Sequence, residues 1–145
     1  MKKKTALEVI ASLLILLFVY TALSKLYDIP RFQWVLGKSP LLKSSASFVA
    51  WFVPILELGI SALLLFPRTR NVGLISSFAL LTIFTLYIGY MVLFVPKLPC
   101  NCGGVIQQLT WQQHLIFNSV FILLAGLGIS LTRTSESLAP KAEVA

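Results

Sequence analysis

Both cysteines and the single histidine of the chain fall in one stretch, Leu98-Pro99-Cys100-Asn101-Cys102-Gly103-Gly104-Val105, running on through Gln107, Gln108, Trp111 and His114 to Asn118. Two thiols separated by one residue close only a very small ring. The chain-entropy gain from a ring of about three residues is only about 1.6 kcal/mol before strain is subtracted. So short a bridge is a poor staple and an easily reduced one, which suits an exchangeable redox pair. An inert or structural pair and a metal-binding pair are the other readings of the same residues.

The neighbours bear on that choice. Gly103 and Gly104 free the backbone to turn and leave the thiols uncrowded, and Pro99 stiffens the approach. Trp111, His114 and Asn118 are spaced three and four apart, so they share one face of a helix. At 1.5 Å rise per residue, His114 lies about 5–8 Å below the start of that helix and can reach back to a loop thiol. A neutral imidazole is then a base for forming the thiolate, the nucleophile in exchange. Equally, a His and a Trp at a helix end can simply anchor it in the headgroup layer. Two thiols and one imidazole also make a Cys₂His set for zinc, and soft thiolates suit Cu(I). No fourth soft ligand lies nearby in the sequence.

Glu57 is the second residue that asks for chemistry. It stands near the middle of an apolar run, about 15 Å from either end of the helix that run would form. A lone acid there costs at least about 2.5 kcal/mol, so it is expected to face the interior of a bundle. Protonated, it can bond to Asn118, Tyr87 or Tyr90; charged, it can pair with Lys25 if the helices bring them together. One role is a proton or quinone site between helices. The other is a polar contact that holds the bundle together.

The elements that must position these residues follow from composition. The chain has 145 residues, 57% hydrophobic and only 12% charged, with a mean hydropathy of +0.88. A soluble domain would carry about a quarter charged residues. The reading is therefore an all-α, polytopic membrane protein forming one domain. The net charge of +7 does not point to nucleic acid, because the basic residues sit at the ends of apolar runs and form no stripe interleaved with aromatics.

Four runs approach the roughly 20 residues needed to cross the hydrocarbon core. They cover about 5–26, 47–66, 72–95 and 109–131, giving a four-transmembrane-helix domain over 1–131. Residues 132–145 read as a polar, disordered cytoplasmic tail. The first run, after Lys2–Lys4, is longer than a signal-peptide core and reads as a retained signal anchor, although Ala22-Leu23-Ser24 offers a cleavage pattern. Asp28, Pro30 and Gly37 frame a short helix between the first two runs. Its Arg31 and Trp34 suit the membrane interface.

Orientation comes from the basic residues. Lys2, Lys3, Lys4, Arg68, Arg70, Arg133 and Lys141 fall on one side, and Lys25, Arg31, Lys38, Lys43 and Lys97 on the other, seven of the 12 against five. The compact clusters at Lys2–Lys4 and Arg68/Arg70 lie closest to helix ends, where such charges count most. Both termini are thus expected in the cytoplasm and the cysteine loop outside it, where paired thiols are of most use.

Cys100-Asn101-Cys102-Gly103-Gly104, then Leu109-Thr110-Trp111, His114 and Asn118, resembles the MauE branch of the DoxX-like four-helix membrane proteins. Ser24-Lys25-Leu26 with Asp28 and Phe32, and Pro54-Ile55-Leu56-Glu57, fit the same pattern. The resemblance covers nearly the whole chain up to about Leu131. It implies a bacterial inner-membrane bundle with a redox-associated role, since family members are linked to maturation of methylamine dehydrogenase and other relatives accompany thiol or sulfur oxidation. The outline is also similar to DsbB and vitamin K epoxide reductase, which pass electrons between thiols and a quinone. This chain departs from those two in holding one cysteine pair where they relay through two.

The expectation is thiol/disulfide exchange at Cys100 and Cys102, tuned by His114. Trp111, Asn118, Gly103, Gly104, Glu57 and Lys25 support it. A membrane quinone is the implied electron acceptor, and a periplasmic thioredoxin-like or disulfide-bearing protein is the implied partner beside the lipid bilayer. Metal binding by Cys100, Cys102 and His114, or a non-catalytic scaffold role in a larger complex, are the competing expectations.

Overall fold

The structure is a computed structural model that describes residues 2–94 and 111–143, the side chains of residue 111 and of residues 135–143 excepted. The described residues form five helices: α1 Lys2–Tyr27, α2 Ile29–Gly37, α3 Ala46–Leu65, α4 Arg70–Phe94 and α5 Trp111–Glu143. Four stretches among them are long and apolar enough to cross a membrane: Lys2–Tyr27, Ala46–Leu65, Arg70–Phe94 and Gln112–Thr134. The all-α, polytopic membrane architecture expected from the sequence is the one observed.

Local chemistry sets the helix ends. Asp28 caps α2, its Oδ1 accepting from the Arg31 amide at 3.2 Å, and Pro30 sits in the first turn, where a missing N–H costs nothing. At the end of α3, Phe66 is extended, as the residue before Pro67 must be. The carbonyls this leaves open on α3 are taken up by the following turn. Thr69 Oγ1 donates to Leu63 O at 2.8 Å and Arg70 Nε donates to Leu64 O at 3.3 Å. Side chains of the turn thus satisfy the last carbonyls of the helix.

The long helices pack in a ring, α1 on α3, α3 on α4, α4 on α5 and α5 back on α1, with α2 laid against α3. Neighbours in the ring run antiparallel. One end of the bundle gathers the start of α1 and the end of α5: a Cβ added to Gly128 would lie 3.0 Å from Leu74 and 3.4 Å from Ile10. Gly73 likewise brings the α4 backbone against Leu64, where an added Cβ would meet both the side chain and the amide nitrogen at 3.0 Å. Small residues at helix contacts allow this close approach. Thr132 Oγ1 and Asn71 Oδ1, 3.2 Å apart, tie α5 to α4 at the same end.

The interior is filled by Ile10, Leu14 and Phe18 of α1 with Ile60, Leu64, Leu74, Leu81 and Ala125 from the other three long helices. A second cluster joins Phe32 and Leu36 of α2 to Ala46, Ala50 and Val53 of α3. Large apolar side chains such as Leu16, Phe48, Ile55, Leu86 and Leu123 point outward instead. In water so much exposed apolar surface would drive association; in lipid it is the expected exterior.

α2 has the bounds expected for it, and its buried Phe32, Val35 and Leu36 seat it on the bundle. One boundary differs from the sequence reading. α5 continues as a helix to Glu143, through most of the residues assigned to a disordered tail. No Gly or Pro interrupts the chain between Ile129 and Ala139, so nothing local stops the helix where its apolar run ends.

Candidate functional site

Glu57 lies at the centre of α3 and is 1% exposed. The helix delivers it inward on the same face as Val53, Ile60 and Leu64. Facing it on α1 are Thr21 and Lys25, one turn apart and both buried. Lys25 Nζ donates to Glu57 Oε1 at 2.6 Å, and Thr21 Oγ1 donates to the same oxygen at 3.3 Å. The ion pair that the sequence allows conditionally is thus formed, and it settles which partner Glu57 takes.

The ammonium has further company. Its nitrogen lies 5.7 Å from the centroid of the Phe32 ring and 5.3 Å from that of Phe84, within the range at which a ring face attracts a cation. A carboxylate and two rings, contributed by α2, α3 and α4, thus enclose the end of the Lys25 side chain. Phe32 enters the sequence reading only through the family resemblance, and Phe84 and Thr21 do not stand out at all, since a Phe or Thr in an apolar run reads as ordinary core. A signal exists only in hindsight: Thr21 and Lys25 are four apart and share a helical face.

α5 supplies the remaining polar groups. His114 and Asn118 are 5% and 6% exposed, so the helical face predicted for them is the one turned inward. His114 lines the same cavity as Lys25. All of these side chains line one cavity of about 390 Å³, whose walls are otherwise almost wholly apolar. Tyr87 of α4 also lines it. Glu57 Oε2 and His114 Nδ1 are buried and have no hydrogen-bond partner among the described residues.

The structure therefore brings together Lys25, Glu57, His114 and Asn118. Trp111 is the first residue of α5. Cys100, Cys102, Gly103 and Gly104 lie outside the described residues. Their connector leaves α4 at Phe94 and joins α5 at Trp111, at the end of the bundle where α1 finishes and α3 begins. Among the described residues no three His, Cys, Asp or Glu side chains form a metal-binding group.

An acid and a base shielded from solvent, one spare carboxylate oxygen and one spare imidazole nitrogen can bind a polar group carried into the bilayer. They can also hold or relay a proton. No curated protein and no solved structure matches the chain significantly. The sequence profile of one family, the methylamine utilisation protein MauE, matches residues 3–131, which covers most of each of the four apolar spans and every residue of the cavity. The chain is a membrane protein of the MauE family.

Proposed function

We propose that this chain is a redox-associated accessory protein of the cytoplasmic membrane, using Cys100 and Cys102 in thiol/disulfide exchange with an extracytoplasmic partner. The observation that carries the reading is positional. The chain's two cysteines fall in the connector between α4 and α5, and the first turns of α5 carry His114 into a cavity with a buried ion pair. In the exchange, one thiolate attacks a partner disulfide, or a partner thiolate attacks the Cys100–Cys102 disulfide, and the second cysteine resolves the mixed disulfide. His114 acts as a base toward the attacking thiol.

The family name supports a role in methylamine utilisation, in which such exchange would serve the folding or maturation of a disulfide-bearing protein outside the cytoplasm. A thioredoxin-like partner fits a chain that has a single cysteine pair, because the relay then needs a second pair from elsewhere. Complementation tests the reading. In a host lacking its own copy, Cys100→Ser and Cys102→Ser should each abolish thiol exchange, and equal performance of both variants and wild type would refute it.

A further inference from the structure

The cavity between the helices has a more specific chemistry than a gap in packing. At about 390 Å³ it lies near the lower end of small-molecule sites, roomy enough for one substituted ring with a short stem and too small for a two-chain phospholipid. Its lining is nearly all apolar, and its polar groups converge from α1, α3, α4 and α5 rather than from one helix. Two of those groups, Glu57 Oε2 and His114 Nδ1, are buried without a partner among the described residues. Buried polar atoms are seldom left unpaired unless something else satisfies them. Phe32 and Phe84 add ring faces beside the Lys25 ammonium.

These features together define the occupant. It must be apolar enough to live in lipid and flat enough to lie against ring faces. It must carry oxygen-bearing groups that can both give and accept hydrogen bonds. We propose that the cavity binds the ring of a lipid-soluble quinone and holds its quinol form more tightly. A quinol hydroxyl donates to the spare Glu57 carboxylate oxygen, a bond the oxidised ring cannot make. A ring oxygen of either form can accept from the Lys25 ammonium or from a protonated His114 Nδ1.

The redox consequence, unlike the binding, rests on the thiol-exchange reading. Oxidation of the Cys100 and Cys102 thiols breaks two S–H bonds and forms one S–S bond. The two electrons and two protons released reduce the two carbonyl oxygens of the quinone to hydroxyls, which balances the step.

The test uses the full-length protein in detergent, kept anaerobic, titrated with a benzoquinone bearing one isoprenoid unit and separately with its quinol. Saturable binding of one molecule per chain is expected, tighter for the quinol. Glu57→Gln should weaken quinol binding by about tenfold or more, as loss of a hydrogen bond to a charged group does, and should remove the preference between forms. His114→Leu should weaken both forms, so the outcome does not hang on one variant's folding. The double variant Cys100→Ser/Cys102→Ser should bind like wild type. Binding that does not saturate, or that ignores both cavity substitutions, would overturn the assignment. Intact binding beside cysteine variants that exchange thiols normally would uphold the cavity and refute the thiol reading alone.

Discussion

Lys25 and Glu57 join the last turn of α1 to the middle of α3 through one contact of 2.6 Å, with side chains only 8% and 2% exposed. Neither charge has water to fall back on, so each depends on the other. Substituting one partner strands the second, which in buried pairs costs about 3–5 kcal/mol, whereas replacing both with apolar residues of similar volume is often neutral. Glu57→Leu and Lys25→Met should therefore each lower the thermal unfolding midpoint in detergent, and the double variant should recover most of the loss. Additive losses would mean that the pair is not coupled.

Gly73 predicts a steric outcome. A methyl at this position would sit 3.0 Å from the Leu64 backbone nitrogen, and backbone cannot step aside as a side-chain tip can. Gly73→Ala should force α3 and α4 apart and cost about 1–3 kcal/mol, the usual range for overpacking. Gly59 and Gly89 have nothing within 4 Å of an added Cβ, so Ala there should be tolerated. Midpoints of thermal unfolding for the three variants make the comparison.

His114 should matter to exchange beyond its place in the packing. If it acts as a base toward a thiol, His114→Gln should slow thiol exchange by about 10²-fold, the low end of what a positioned base contributes. Exchange in the variant should recover at higher pH, where the thiols ionise unaided. A rate unchanged by His114→Gln would reduce the residue to lining the cavity.

Orientation is open to direct labelling. A membrane-impermeant maleimide applied to intact cells should label Cys100 and Cys102 only after prior reduction, as an external disulfide requires. Labelling without reduction would show free external thiols. Labelling only in broken cells would place the connector inside and reverse the orientation drawn from the basic residues.

The sequence carries some of this plainly. Four runs of about 20 apolar residues have few alternatives to membrane helices, and Asp28, Pro30 and Gly37 mark α2 by their local preferences alone. The spacing of His114 and Asn118 put them on one face of α5, and it is the structure that turns this face inward. Glu57 stood out because an acid within an apolar run needs a partner, although Lys25 was one of several on offer. The cavity was not legible, nor were Thr21, Phe32 and Phe84 as neighbours of the ion pair. Those depend on how five helices are rotated and spaced, which no single run of residues encodes. The continuation of α5 to Glu143 was missed because a polar segment was equated with a disordered one.

The ion pair also has a history in the making of the chain. Synthesis runs from α1 to α5, so Lys25 reaches the bilayer before Glu57 does. A nascent chain that has placed α1 and α2 holds an uncompensated cation, and α3 on its own brings an acid that the bilayer disfavours by about 2.5 kcal/mol or more. Only when α3 docks on α1 do both liabilities vanish. The same two atoms that polarise the finished cavity thus reward one assembly step, the docking of α3 on α1.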